Sequence, residues 1–120
     1  MTRVLLCDDS SRIRDLVRIV LELEGVEVVG EAGNGREAVE QAAREQPDVV
    51  LLDLSMPVMD GLEALPEILR VAPGSKVVVL SGFDNKLLVE RALEQGAVRY
   101  VLKGGDPGEI AGAVAEVGAG

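Results

Sequence analysis

Five short apolar runs alternate with five longer segments of helical period along this chain, and that alternation admits few folds. The runs are Val4 to Cys7, Val26 to Gly30, Val49 to Leu52, Val77 to Leu80 and Val98 to Leu102, each too short for a buried helix. Strands separated by helix-length segments predict a parallel sheet with helices on both faces. The middle three runs are rich in valine, as a strand covered on both sides requires.

The helical segments carry their own punctuation. Ile13, Leu16, Val17, Val20, Leu21 and Leu23 recur at helical spacing behind Ser10 or Ser11, either of which can cap the first helix, and Glu24 and Gly25 end it. The second helix runs from about Asn34 to Gln46, where Pro47 stops it. The third covers about Gly61 to Val71 and should be bent or shortened by Pro66, which has no N–H to donate. The fourth covers about Asp84 to Gln95 and the fifth about Asp106 to Val117. Residues 1–117 then form one domain, and 118–120 read as a tail or the start of a linker.

Composition removes several functions. The chain has 120 residues, 48% of them hydrophobic and 28% charged, which suits one ordinary globular core. A formal charge of −9 with scattered basic residues opposes direct nucleic-acid binding, and two aromatic residues, Phe83 and Tyr100, offer no stacking platform. No apolar stretch reaches bilayer length and no basic leader precedes one, so a cytoplasmic location away from the membrane is expected. The single cysteine, Cys7, excludes an internal disulfide and multi-cysteine zinc sites. With no histidine there is no Ser-His-Asp triad, no imidazole base and no phosphohistidine within the chain. A bound metal must use oxygen ligands, which favours magnesium, calcium or manganese.

In open α/β sheets the ligand site lies beyond the carboxyl ends of the strands, where strand order reverses. Asp8 and Asp9 follow the first strand, Asp53 ends the third, Ser81 follows the fourth and Lys103 the fifth. Each has an ordinary structural use when taken alone, as a turn, a helix cap or a solvated side chain. Together, with strand order 2-1-3-4-5, they converge. Three carboxylates in a partly desolvated cleft need a compensating cation. Magnesium fits, with Asp9, Asp53, the Ser55 backbone carbonyl and phosphate as ligands and Asp8 acting directly or through water; manganese is the alternative. A carboxylate can attack phosphorus to give an aspartyl phosphate when positive charge offsets the phosphoryl oxygens, and Lys103 helps supply it. Ser81 and the backbone amides near Ser55 and Gly82 could hydrogen-bond those oxygens, Gly82 leaving room for close approach.

These residues resemble the receiver domain of two-component response regulators along essentially the whole chain. The resemblance rests on the pair Asp8 and Asp9, on DLSMPVMDG from Asp53, on LSGF with Ser81 and on YVLK ending at Lys103. It implies a flavodoxin-like doubly wound (βα)5 fold. It also implies that Asp53 accepts a phosphoryl group from a histidine kinase or phosphotransfer protein with magnesium present, the domain assisting its own phosphorylation and dephosphorylation without being a conventional enzyme. Ser81 and Tyr100 would be the switch pair that reshapes the surface of the fourth and fifth strands and helices, controlling partner binding, dimerisation or an output domain. Lys103 is followed by Gly104 and Gly105 where many receivers have proline, and with GNGREAVE and LKGGDP this is similar to NarL/FixJ-type receivers that precede a LuxR-type helix-turn-helix domain. A DNA-binding output domain is absent from the sequence. Phe83, two residues after Ser81, is expected to shield an acyl phosphate from water. Two other classes stand beside this one. An aspartyl-phosphate phosphatase of the haloacid-dehalogenase type would need a second carboxylate two residues after Asp53, where Ser55 stands; a pseudo-receiver would bind partners without phosphorylation.

Overall fold

The computed structural model describes residues 1–82 and 86–119. Five strands, β1 (Arg3–Cys7), β2 (Glu27–Ala32), β3 (Val49–Asp53), β4 (Lys76–Ser81) and β5 (Arg99–Leu102), alternate with α1 (Ser11–Leu23), α2 (Gly35–Glu45), α3 (Gly61–Val71), α4 (Lys86–Glu94) and α5 (Pro107–Ala119). All strands are parallel, in the order β2-β1-β3-β4-β5. With right-handed crossovers, that order places helices on both faces of the sheet.

Alternation along the central strands divides the core in two. Leu5, Cys7, Val50, Leu52, Val77 and Val79 face α2, α3 and α4, where Ala38, Ala64, Leu65, Ile68 and Val89 cover them. Val4, Leu6, Val49, Leu51, Val78 and Leu80 face α1 and α5, against Val17, Leu21, Ile110 and Val114. Each of these valine, leucine and isoleucine side chains contributes roughly 1.5–3 kcal/mol on full burial. The sheet is therefore anchored from both sides at β1, β3 and β4, whose carboxyl ends carry the candidate site.

Caps decide where the helices begin. Ser10, rather than Ser11, caps α1, its hydroxyl accepting the Ile13 N–H. Asn34 caps α2, and Asp60 forms a reciprocal capping box with Glu63 at the start of α3. Pro66 does not shorten α3, which runs the expected Gly61–Val71. The ring is exposed, so the helix forgoes one backbone bond on its solvent side. The Asp106 side chain accepts the Gly108 N–H at 2.9 Å and starts α5, which continues to Ala119. The expected opening of α4 at Asp84 lies outside the described residues.

β2 departs from expectation in two respects. It continues past Gly30 to Ala32, because Gly30, Glu31 and Ala32 pair with Leu5, Leu6 and Cys7 beyond a register shift. Gly30 is not a stop there: a Cβ at that position would overlap the Gln41 side chain, whose amide donates to the Glu31 carbonyl. β2 is also an edge strand, and Val28 and Val29 are only half-buried. Full coverage, expected for the three valine-rich runs, holds only for β3 and β4. Among the described residues no helix is long and apolar enough to cross a membrane.

Candidate functional site

Register brings the first two strand ends together. Cys7 pairs with Leu52, so Asp8 and Asp53 leave the sheet side by side. The ladders run one step further: Asp8 N–H donates to the Ala32 carbonyl at 3.0 Å, Leu54 N–H to Leu80 at 3.3 Å and Lys103 N–H to Ser81 at 2.8 Å. Each site residue is thus held by its backbone at the sheet margin. Gly61 closes the site from α3, its N–H donating to the Leu54 carbonyl at 3.1 Å. A Cβ at Gly61 would overlap the Asp53 carbonyl oxygen and come within 2.8 Å of Leu54 Cα, so only glycine fits. Gly35 meets the same loop from α2 by donating its N–H to Met59 at 2.8 Å.

Asp53 is 2% exposed. Its Oδ1 accepts the Ser55 N–H at 3.1 Å and its Oδ2 accepts Lys103 Nζ at 2.7 Å. Burial pushes the Asp53 carboxyl above its ordinary range, with a smaller push from Asp8, against the hydrogen bonds from Lys103 and Ser55. Burial also works against the Lys103 ammonium, but the hydrogen bond and charge of Asp53, joined by Asp8, outweigh it and hold its pKa above the usual lysine value.

Asp8 is fully buried. One oxygen, Oδ1, accepts the Ser10 N–H at 2.9 Å. The other, Oδ2, is 3.2 Å from Lys103 Nζ, an ion-pair distance, yet the angle forms no hydrogen bond and that oxygen is unsatisfied. Asp9 is exposed. One oxygen from each of Asp8, Asp9 and Asp53 lies within 4.8 Å of the others. An all-oxygen cluster of this size, with a buried unsatisfied acceptor, suits a hard divalent cation.

Beyond Lys103 and Ser55, the remaining expected residues make no hydrogen bond to that cluster among the described residues. Ser81 is buried, and its hydroxyl donates to the Gly82 carbonyl at 2.9 Å rather than toward Asp53. Ser55 contributes its N–H to Asp53. Tyr100 is 49% exposed on the outer side of β5. It borders a cavity of about 390 Å³ that Ser81, Gly82, Val89 and Leu102 also line. Phe83 lies outside the described residues.

The structure adds two residues that the apolar spacing of α1 did not reveal. An Arg14 guanidinium nitrogen donates to the Asp8 carbonyl, and Nε donates to Glu31 Oε1 at 2.9 Å. Arg18 Nε donates to Glu31 Oε2 at 2.8 Å. Burial raises the Glu31 carboxyl, but the two arginines outweigh it and hold it below the ordinary range. The available signal was two arginines four apart on one helix face and an acid in a strand.

A family model for the response regulator receiver domain matches residues 4–115. The chain belongs to this family. It is 36% identical over 115 residues to the chemotaxis protein CheY of Thermotoga maritima, covering 96% of each chain. It is 47% identical over 103 residues to the transcriptional regulatory protein PdtaR of Mycobacterium tuberculosis, covering 84% of this chain and 49% of that protein. The chain therefore spans nearly the whole of one relative and about half of the other. Among solved structures, the receiver domain of a NarL response regulator from Mycobacterium tuberculosis superposes with a TM-score of 0.90 at 38% identity, covering 99% of this chain and 97% of that one. CheY in a CheX-CheY-BeF3-Mg complex from Borrelia burgdorferi gives a TM-score of 0.89 at 29% identity, covering 97% and 88%. Receiver domains bind magnesium at an acidic pocket, and the aspartate cluster stands at the corresponding sheet margin here.

Proposed function

We propose that this receiver is a phosphoacceptor switch in which Asp53 takes a phosphoryl group from a histidine kinase or phosphotransfer protein. The observation that carries this reading is a buried Asp53 carboxylate hydrogen-bonded at 2.7 Å by Lys103 and flanked by Asp8 and Asp9. Asp8, Asp9, Asp53 and the Ser55 carbonyl would hold magnesium, or manganese in its place. The ion supplies positive charge beside the transferring oxygens. An Asp53 carboxylate oxygen forms the new O–P bond with a lone pair as the donor's N–P bond breaks, and the freed electron pair stays on the donor's imidazole nitrogen, which takes a proton. Lys103 shifts its hydrogen bond from the carboxylate to a phosphoryl oxygen.

Ser81 then exchanges its bond to Gly82 for one to the phosphoryl group, and Tyr100 turns into the cavity behind Ser81. Both moves alter the outer surface of β4, α4, β5 and α5, which a second copy, an output domain or another partner would read. In this reading the chain assists its own modification and turns over no separate substrate.

Incubation with acetyl phosphate and magnesium, followed by intact-mass measurement, tests the proposal. Wild type should gain one phosphate-sized increment and Asp53→Asn none. No increment in wild type, or the same increment in Asp53→Asn, would refute it.

A further inference from the structure

Asp9 is exposed and makes no side-chain hydrogen bond among the described residues, so its backbone sets the positions its carboxylate can reach beside Asp8 and Asp53. That backbone is the peptide joining Asp8 to Asp9. Its N-terminal side is fixed by the Asp8 N–H bond to Ala32, and the Asp8 Oδ1 bond to Ser10 N–H holds the following turn. The carbonyl of the peptide itself is held by Arg14. Arg14 is in turn oriented by Glu31, whose backbone is pinned in β2 opposite Leu6 and by the Gln41 amide.

We propose that Arg14, oriented by Glu31, is a positioning residue for the metal site: by gripping the Asp8 carbonyl it sets the peptide plane that presents Asp9. The inference rests on the magnesium site of the proposed function. A guanidinium suits the task because its fork reaches a carbonyl and a carboxylate at once from a fixed plane. Partners that orient metal ligands typically change metal affinity by about 10–100-fold when removed.

The alternative is that Arg14 merely ties α1 to β2. Arg18 provides the control, since it makes the same kind of bond to Glu31 at 2.8 Å and none to Asp8. Magnesium binding would be measured by calorimetry on wild type, Arg14→Gln, Arg14→Lys and Arg18→Gln. The magnesium dependence of phosphorylation by acetyl phosphate and the Tm without metal would be measured alongside.

Arg14→Gln should raise the half-saturating magnesium concentration by about 10-fold while the rate at saturating magnesium stays near wild type. Arg18→Gln should lower Tm and leave magnesium affinity unchanged. Arg14→Lys, whose ammonium keeps the charge but lacks the planar fork, should fall between wild type and Arg14→Gln, and it replaces the glutamine variant if that fails to fold. Unchanged magnesium affinity in a folded Arg14 variant, or equal losses in the Arg14 and Arg18 variants, would overturn the proposal. If wild type takes up no phosphoryl group but the calorimetric pattern holds, the phosphoacceptor reading fails and the positioning role stands. If wild type is phosphorylated and Arg14→Gln binds magnesium normally, the reverse follows.

Discussion

Replacing Asp8 with Asn should stabilise the metal-free domain, although it removes a buried ion-pair partner. Asp8 is fully buried and its Oδ2 is 3.2 Å from Lys103 Nζ, an attraction of about 5 kcal/mol at an effective dielectric near 20. Against it stands the Asp53 carboxylate, with an oxygen no more than 4.8 Å away, a repulsion of about 3.5 kcal/mol on the same scale. The difference, about 1.5 kcal/mol of attraction, offsets only part of the desolvation of the Asp8 carboxylate, which costs several kcal/mol. An asparagine keeps the acceptor for Ser10 N–H, and Lys103 keeps its 2.7 Å bond to Asp53, so no charge is stranded.

The net gain is about 2 kcal/mol, or roughly 8 °C in Tm for a domain of this size. Thermal or urea unfolding in EDTA reads it directly. Magnesium should reverse the order: wild type gains about 2.7 kcal/mol at a hundred times Kd, and the variant, lacking one ligand, gains far less. A variant less stable than wild type in EDTA would refute the electrostatic argument. Equal magnesium-induced shifts in both proteins would refute the role of Asp8 in the metal site.

Acidity offers a second check. Because folding raises the Asp53 pKa, the folded state holds that proton more tightly, and stability from this group is lost as pH rises from its ordinary value of 3.8 through the raised one. The difference in metal-free stability between Asp53→Asn and wild type should therefore grow across that window; a constant difference would count against it. Lys103 has the opposite placement: its contribution is present below the ordinary 10.5 and is lost as pH rises through its higher folded pKa, so a Lys103→Met variant should show a flatter alkaline unfolding profile. Gly61→Ala should cost about 2 kcal/mol and slow phosphorylation, since the added methyl drives into the Asp53 carbonyl; wild-type unfolding and labelling rates would exclude that contact. Val58 has φ of 69° and is mostly exposed in the loop after Asp53, so Val58→Asn should stabilise by about 0.5–1 kcal/mol in denaturant unfolding, and a loss of stability would contradict the strain.

The parts of the fold legible in the sequence are those where burial leaves no choice. β1, β3 and β4 are covered on both faces, so their apolar residues run without interruption and their ends are marked by the first charged or polar residue. At the edge the same pattern misleads. Val28 and Val29 resembled covered residues, and Gly30 resembled a stop, whereas the strand continues through Glu31 because the helix beside it supplies Gln41. The cluster of Asp8, Asp9, Asp53 and Lys103 was legible for the same topological reason as the sheet, since parallel strands deliver their carboxyl ends to one margin. Side-chain directions were not. Nothing in the local sequence states that the Ser81 hydroxyl turns to Gly82, that Tyr100 faces solvent, or that Arg14 crosses from α1 to the Asp8 carbonyl.

Those side-chain directions bear on how a small modification could change a surface. Three carboxylates and one ammonium leave the cluster with two uncompensated negative charges, which a divalent cation would neutralise. Converting the Asp53 carboxylate to its acyl phosphate then adds about one more negative charge, because the phosphoryl group carries roughly −1.5 to −2 near neutral pH. No further cation stands in the cluster among the described residues, so neutral donors have to meet part of this charge. Ser81 carries a buried hydroxyl at the same sheet margin, and its bond to the Gly82 carbonyl is an ordinary neutral one worth about 1 kcal/mol. A charge-assisted bond to a phosphoryl oxygen is worth about 1.5–3 kcal/mol. The exchange is favourable by about 0.5–2 kcal/mol, which overlaps the usual range of coupling between two sites. The cavity that Ser81 and Tyr100 both line would receive the aromatic ring in the proposed switch. Under the proposed function, phosphorylated Asp53 would act on the distant surface through a charge that a rearranged Ser81 helps to satisfy.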